Sequence, residues 1–185
     1  MKRTILTLTL AASILAACNN SKTTGASGNA ATETMSASTT QPNENPILAN
    51  YLSVKDALAK DDAKSAAESG KTLAETLKSY DISSLSAAQK KTFDDIKSDA
   101  LENAEHISEN GDKIAHQREH FILLSGDVYD LVKSLGTKQT LYKDFCPMAN
   151  DKKGAFWLSA NKEIKNPYMG KKMETCGSVK ETINQ

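Results

Sequence analysis

"IAHQREHFILLSGDVYDLVKSLG", residues 114–136, is the stretch on which the fold turns. Ile114, Phe121, Leu124, Val128, Leu131 and Leu135 recur at steps of three, four and seven. That spacing gathers apolar side chains on one side of an α-helix. Gly136 follows the last of them, where helices commonly stop.

The same period runs backwards to residue 47. Ile47, Tyr51, Val54 and Leu58 mark a first helix. Asp61-Asp62 can cap a second, which carries Ala63, Ala66, Leu73 and Leu77. Ser84 or Ser86 opens a third with Phe93, Ile96, Ala100, Ala104 and Ile107, and Asn110-Gly111-Asp112 closes it. Four amphipathic helices with short polar connections predict an all-α fold, an antiparallel four-helix bundle over residues 46–136 with a lean, Ala-rich core.

Beyond Gly136 the helical period stops. "TLYKDFCPM" and "GAFWLS" are short, aromatic and β-prone, and Asn150 to Gly154 form a polar turn between them. They predict a β-hairpin within a small non-helical cap over 137–180, packed on the bundle as one domain, with Trp157 at its centre and 181–185 as a tail.

At the other end, Lys2 and Arg3 precede an apolar run from Ile5 to Ala17 that reaches Cys18 through Leu-Ala-Ala. A basic start, a short apolar stretch and small residues before the break describe a signal peptide over 1–17. Leu-Ala-Ala-Cys resembles a bacterial lipobox, which implies cleavage before Cys18 and lipidation of its thiol. Several acyl chains would hold the protein on a membrane without a spanning helix. Asn19, in place of Asp, favours an outer-membrane lipoprotein, and Asn19-Asn20-Ser21, with no acidic run, favours its facing the periplasm. Residues 18–45 then form the lipidated cysteine and a flexible tether of Asn, Ser, Thr, Ala and Gly.

The chain holds 23 basic and 23 acidic residues, so no basic excess points to nucleic acid as a partner. No Gly-x-Ser-x-Gly, Gly-rich phosphate loop or His-Glu-x-x-His occurs, and the sequence reads as a non-enzyme.

The chemistry-bearing residues cluster in the cap. With Cys18 consumed by lipid, Cys146 and Cys176 remain, and an oxidising compartment favours a disulfide between them. The competing reading counts the methionines. Cys146-Pro147-Met148 and Met173-Glu174-Thr175-Cys176 each set a thiol beside a thioether, soft donors suited to Cu(I) or Ag(I), with Met169 in reserve. His116 and His120, four apart on the fourth helix, are additional candidate ligands. His106 falls opposite the third helix's apolar stripe and reads as surface. Gln117 falls at the centre of the fourth helix's stripe and needs buried partners. Arg118 is suited to pairing with an acid or bracing the cap.

"HQREHFILLSGDVYDLVKSLG" followed by "CPMANDKKGAFWLSANKEIKNPYMGKKMETCG" resembles an uncharacterised domain of bacterial lipoproteins. That domain also occurs fused to, or encoded beside, CusB-like periplasmic adaptors of copper/silver efflux pumps. The resemblance spans residues 46–180. It implies a membrane-anchored accessory of heavy-metal efflux or homeostasis that binds a soft ion through Cys146, Met148, Met173 and Cys176. A CusB-like adaptor is the expected partner. The alternative is a metal-free interaction module, stapled by a Cys146–Cys176 disulfide, with Trp157, Tyr168 and Met169 as contact points.

Overall fold

The computed structural model of the protein describes residues 45–184. The signal segment, Cys18 and all of the tether before Asn45 lie outside the described residues.

Four long helices come first: α1 (Pro46–Ala59), α2 (Ala63–Ser79), α3 (Ala87–Glu109) and α4 (Ile114–Leu135). The first three starts have a local cause. Asn45 accepts the Ile47 N–H at 2.9 Å ahead of Pro46, whose fixed φ suits a first helical turn. Asp62 accepts the Ser65 N–H at 3.0 Å. Of the two serines suited to opening α3, Ser86 does so, in a reciprocal capping box with Gln89. Gly136 ends α4 at a φ of 79°, a conformation that favours glycine.

Consecutive helices pack on one another and α4 returns to α1, contacts consistent with a bundle. The residues that set the helical period fill the core: Ile47, Tyr51, Val54, Leu58, Leu73, Phe93, Ile107, Phe121, Leu124 and Val128 are all buried. Tyr51 and Phe121 stack at 5.0 Å between ring centroids within this core. Among the described residues no helix is long and apolar enough to cross a membrane.

The fold is mostly helical, not all-α. Three strands, β1 (Leu141–Cys146), β2 (Ala155–Ser159) and β3 (Ser178–Ile183), form an antiparallel sheet in the order β2-β1-β3. The β1–β2 hairpin is the expected one, running from Tyr142 opposite Ser159 to Cys146 opposite Ala155. Its turn passes through Asn150, Asp151 and Lys152, all with positive φ, and then Gly154. A side chain at Gly154 would collide with the Phe145 ring, so glycine is required there.

β3 is the addition. It runs past residue 180 to Ile183, with a register shift opposite Lys143/Asp144, so the cap takes in residues expected to be a tail. Ile183 alone on this strand is buried. β2 packs on α4 and α1, which seats Trp157 and Leu158 in the core.

Candidate functional site

Two clusters of chemistry-bearing side chains arise from this fold, one in the cap and one on the bundle.

The cap cluster is organised by Asn166, which is fully buried. Its side-chain oxygen accepts the Tyr168 and Met169 N–H groups at 2.9 and 3.0 Å. Its amide donates to the Cys176 carbonyl at 2.6 Å, and its backbone N–H donates to the Glu174 carbonyl at 2.8 Å. One side chain thus folds 166–176 into a closed loop around a 3-10 turn, Gly170–Met173.

Arg118 fastens that loop to the helices. It donates through Nε to the Pro167 carbonyl at 2.7 Å, and through Nη2 to the Leu58 carbonyl at 2.9 Å and Asp61 Oδ1 at 2.6 Å. Asp61 Oδ2 accepts the Lys171 N–H at 3.0 Å. The Arg118 hydrogen bond, followed by that of Lys171, holds the Asp61 carboxyl below its usual range. Gly170 lies against this pair with a φ of 54°, where a Cβ would overlap both Asp61 and Arg118. Arg118 therefore fills both roles expected of it, pairing with an acid and bracing the cap.

Beneath the loop, Ser125 hydrogen-bonds with the Tyr51 hydroxyl at 2.8 Å and the Tyr168 hydroxyl at 3.3 Å. Tyr168 donates to the Phe156 carbonyl at 2.5 Å, and the Leu158 N–H donates to Tyr51 at 3.0 Å. Burial pushes both phenols up, so they act as neutral donors and acceptors joining α1, α4, β2 and the loop.

Within this frame Cys146 Sγ and Cys176 Sγ lie 2.7 Å apart. That is inside the contact distance of nonbonded sulfurs and longer than the roughly 2.0 Å of a disulfide bond. Cys146 is fully buried and Cys176 half-buried. The hydrogen bond with Cys146, then burial, raises the Cys176 thiol, while the Met148 backbone N–H aimed at its sulfur works the other way. Two thiolates sharing one metal at about 2.3 Å each would stand roughly 3.8 Å apart, so this pair must open by about 1 Å to hold an ion.

The methionines gather beside the pair. Met148, Met169 and Met173 line one groove of about 580 Å³, whose far wall is Arg118, Glu119 and Ile122 of α4. Met148 is 43% exposed and Met173 37%, unusual for large apolar side chains. Neither side chain fills a gap in the core.

Two of the three contact points expected of the interaction module are buried. Trp157 is fully buried, Tyr168 is buried, and Met169 packs half-buried against the core.

The second cluster lies on the seam between α3 and α4. His106, in the last turn of α3, meets His116 and His120 of α4, and one ring nitrogen from each lies within 4.8 Å of the others. His106 and His120 stack in parallel at 4.2 Å, and His116 meets His120 edge-on at 4.6 Å. Burial, then the neighbouring His106 and His116, lowers the His120 pKa. His106 lies off the core stripe of α3 and its side chain is 41% exposed, as that helix alone predicts, but its partners come from α4. The signal is in the pair of helices: residues 110–113 are a tight connection, so the last turn of α3 must flank the first turns of α4.

Gln117 is buried as expected, but its partners come from the bundle. Its amide donates to the Ala63 and Ile107 carbonyls at 2.9 and 3.0 Å.

Fold and clusters together define a small helical domain with a sulfur-bearing β-cap. A family model described as a protein of unknown function (DUF3347) matches residues 47–140, just over half of the chain, and the chain belongs to that family. The match covers the four helices and ends one residue before β1, so the sulfur cluster lies beyond it. No curated protein matches the chain. No solved structure matches it either.

Proposed function

We propose that the protein is a membrane-anchored periplasmic lipoprotein, tethered through Cys18, that binds a soft cation, Cu(I) or Ag(I), in its cap. It serves heavy-metal efflux or homeostasis, with a CusB-like adaptor as the partner that receives or supplies the ion. An antiparallel four-helix bundle acts as the platform and the cap as the binding element. The protein carries an ion and catalyses no reaction.

The observation that supports this reading is that Met148, Met169 and Met173 line one groove, and that Met148 stands two residues from Cys146 with its backbone N–H aimed at Cys176. Thioethers do not pair oxidatively as thiols do, so Met148, Met169 and Met173 remain usable donors in an oxidising compartment. Cys146 and Cys176 add thiolates when the pair is reduced and opens. The groove is lined by Arg118, which Asp61 holds, by Lys152 and Lys172, and by the acidic Glu119 and Asp151.

Anaerobic Cu(I) titration of the reduced full chain in detergent, against a competing chelator, tests this. One ion is expected per chain, and Met148→Leu/Met173→Leu is expected to weaken it by roughly tenfold or more, since soft donors are replaced by alkyl groups at exposed positions. Unchanged affinity in that variant would remove the thioethers from the site.

A second reading has its own support. The 2.7 Å sulfur separation and the burial of Cys146 suit a disulfide that staples β1 to the loop. In the chain-entropy model, closing about 30 residues stabilises by roughly 3–4 kcal/mol. A reduced chain that binds no Cu(I) would favour this metal-free interaction module.

A further inference from the structure

We propose that His106, His116 and His120 form a second metal site, on the α3–α4 seam, for a borderline divalent first-row ion such as Zn(II) or Cu(II). It does not depend on the sulfur-lined groove. On α4 at about 100° per residue, His116 and His120 lie on the side opposite Arg118 and Ile122, and Glu119, between the two sides, borders both sites.

The geometry fixes which nitrogens are free. Asn103, nearly fully buried, donates its amide to the Asp99 carbonyl at 2.8 Å, which orients its side-chain oxygen toward His120. That oxygen lies 3.0 Å from His120 Nδ1 and can only accept, so Nδ1 carries the proton and Nε2 keeps its lone pair. Glu119 Oε2 does the same for His116, at 3.2 Å from Nδ1. A carbonyl or carboxylate behind each imidazole is the usual support of a metal-ligating histidine.

His106 supplies the third ring from the neighbouring helix. Its closest carboxylate, Glu102, stands 3.9 Å from Nε2, too far to hold that nitrogen in a hydrogen bond. Three nitrogens at about 2.0–2.1 Å from one ion would lie roughly 3.3 Å apart, so the rings need only turn inward from their 4.8 Å limit. Imidazole donors suit zinc, copper and nickel, and three of them leave a fourth coordination position open. Glu102 and Glu119 add negative charge, and half-exposed rings allow an ion to enter and leave.

The test is Zn(II) titration of the tag-free full chain in detergent against a competing chelator. One ion per chain is expected, and His106→Gln and His116→Gln should each weaken it by roughly tenfold or more. Met148→Leu/Met173→Leu should bind Zn(II) as the unmodified chain does. Zn(II) affinity unchanged in His106→Gln, with helical circular dichroism intact, overturns the proposal. Cu(II) resonance spectra of the unmodified chain read the ligands directly. Nitrogen splitting from imidazoles supports the site, and a spectrum without it overturns the site.

Discussion

Asp144→Asn is expected to flatten the dependence of stability on pH and to leave the protein more stable than the parent at pH 8. Asp144 lies on β1 opposite Trp157, fully buried, and neither carboxylate oxygen has a hydrogen-bond partner. Burial pushes its pKa to about 7, against a smaller opposing pull from Lys55. Lys55 is itself buried and is held by Asp56.

The sign follows from linkage. Below about pH 4 the carboxyl is neutral in both states, and its burial carries no ionic penalty. As pH rises the unfolded chain ionises first while the folded one keeps its proton, so stability falls until about pH 7 and is level above it. Three pKa units correspond to at most ~4 kcal/mol. Urea unfolding of parent and variant at pH 5 and pH 8 measures it. Parallel profiles would show that another group carries the dependence.

Arg118→Ala is the other large effect, expected at ~2–3 kcal/mol. The substitution strands the Pro167 and Leu58 carbonyls and leaves Asp61 without its cation. Partial exposure of Asp61 keeps the loss below that of a fully buried pair. Arg118→Lys should recover little, because one ammonium cannot reach acceptors on α1 and the 166–176 loop together. Denaturant unfolding followed by Trp157 fluorescence measures the cost. A loss under ~0.5 kcal/mol would mean that Asn166, Tyr168 and the Lys171–Asp61 hydrogen bond hold the loop without it.

How much of this was legible in the sequence depends on the range of the interaction. Helical period and caps are local, so Tyr51, Leu58, Phe121 and Val128 could be placed in the core and Ser86 proposed as a cap. The hairpin was legible for the same reason, from two β-prone runs around a polar turn. β3 was not. Its sequence, Ser-Val-Lys-Glu-Thr-Ile, buries only Ile183, and an edge strand with charged side chains carries almost no apolar signal.

The candidate sites show the same division. Each half of the sulfur cluster is a short motif, and cysteine counting pairs Cys146 with Cys176, but nothing local shows how the fold brings them together. Their contact depends on Asn166 closing one loop and Arg118 holding it, which are long-range hydrogen bonds. Trp157 was rightly placed at the centre of the cap, yet the same centrality removes it from any docking surface. His106 escaped because its partners lie on another helix.

The central claim is that sulfur from the cap holds a soft ion. X-ray absorption at the copper edge of the Cu(I)-loaded, reduced full chain tests it most directly. The account predicts a shell of sulfur neighbours at about 2.3 Å, depleted in Met148→Leu/Met173→Leu. A first shell built only of nitrogen would contradict it and would move copper binding to the histidines of the α3–α4 seam.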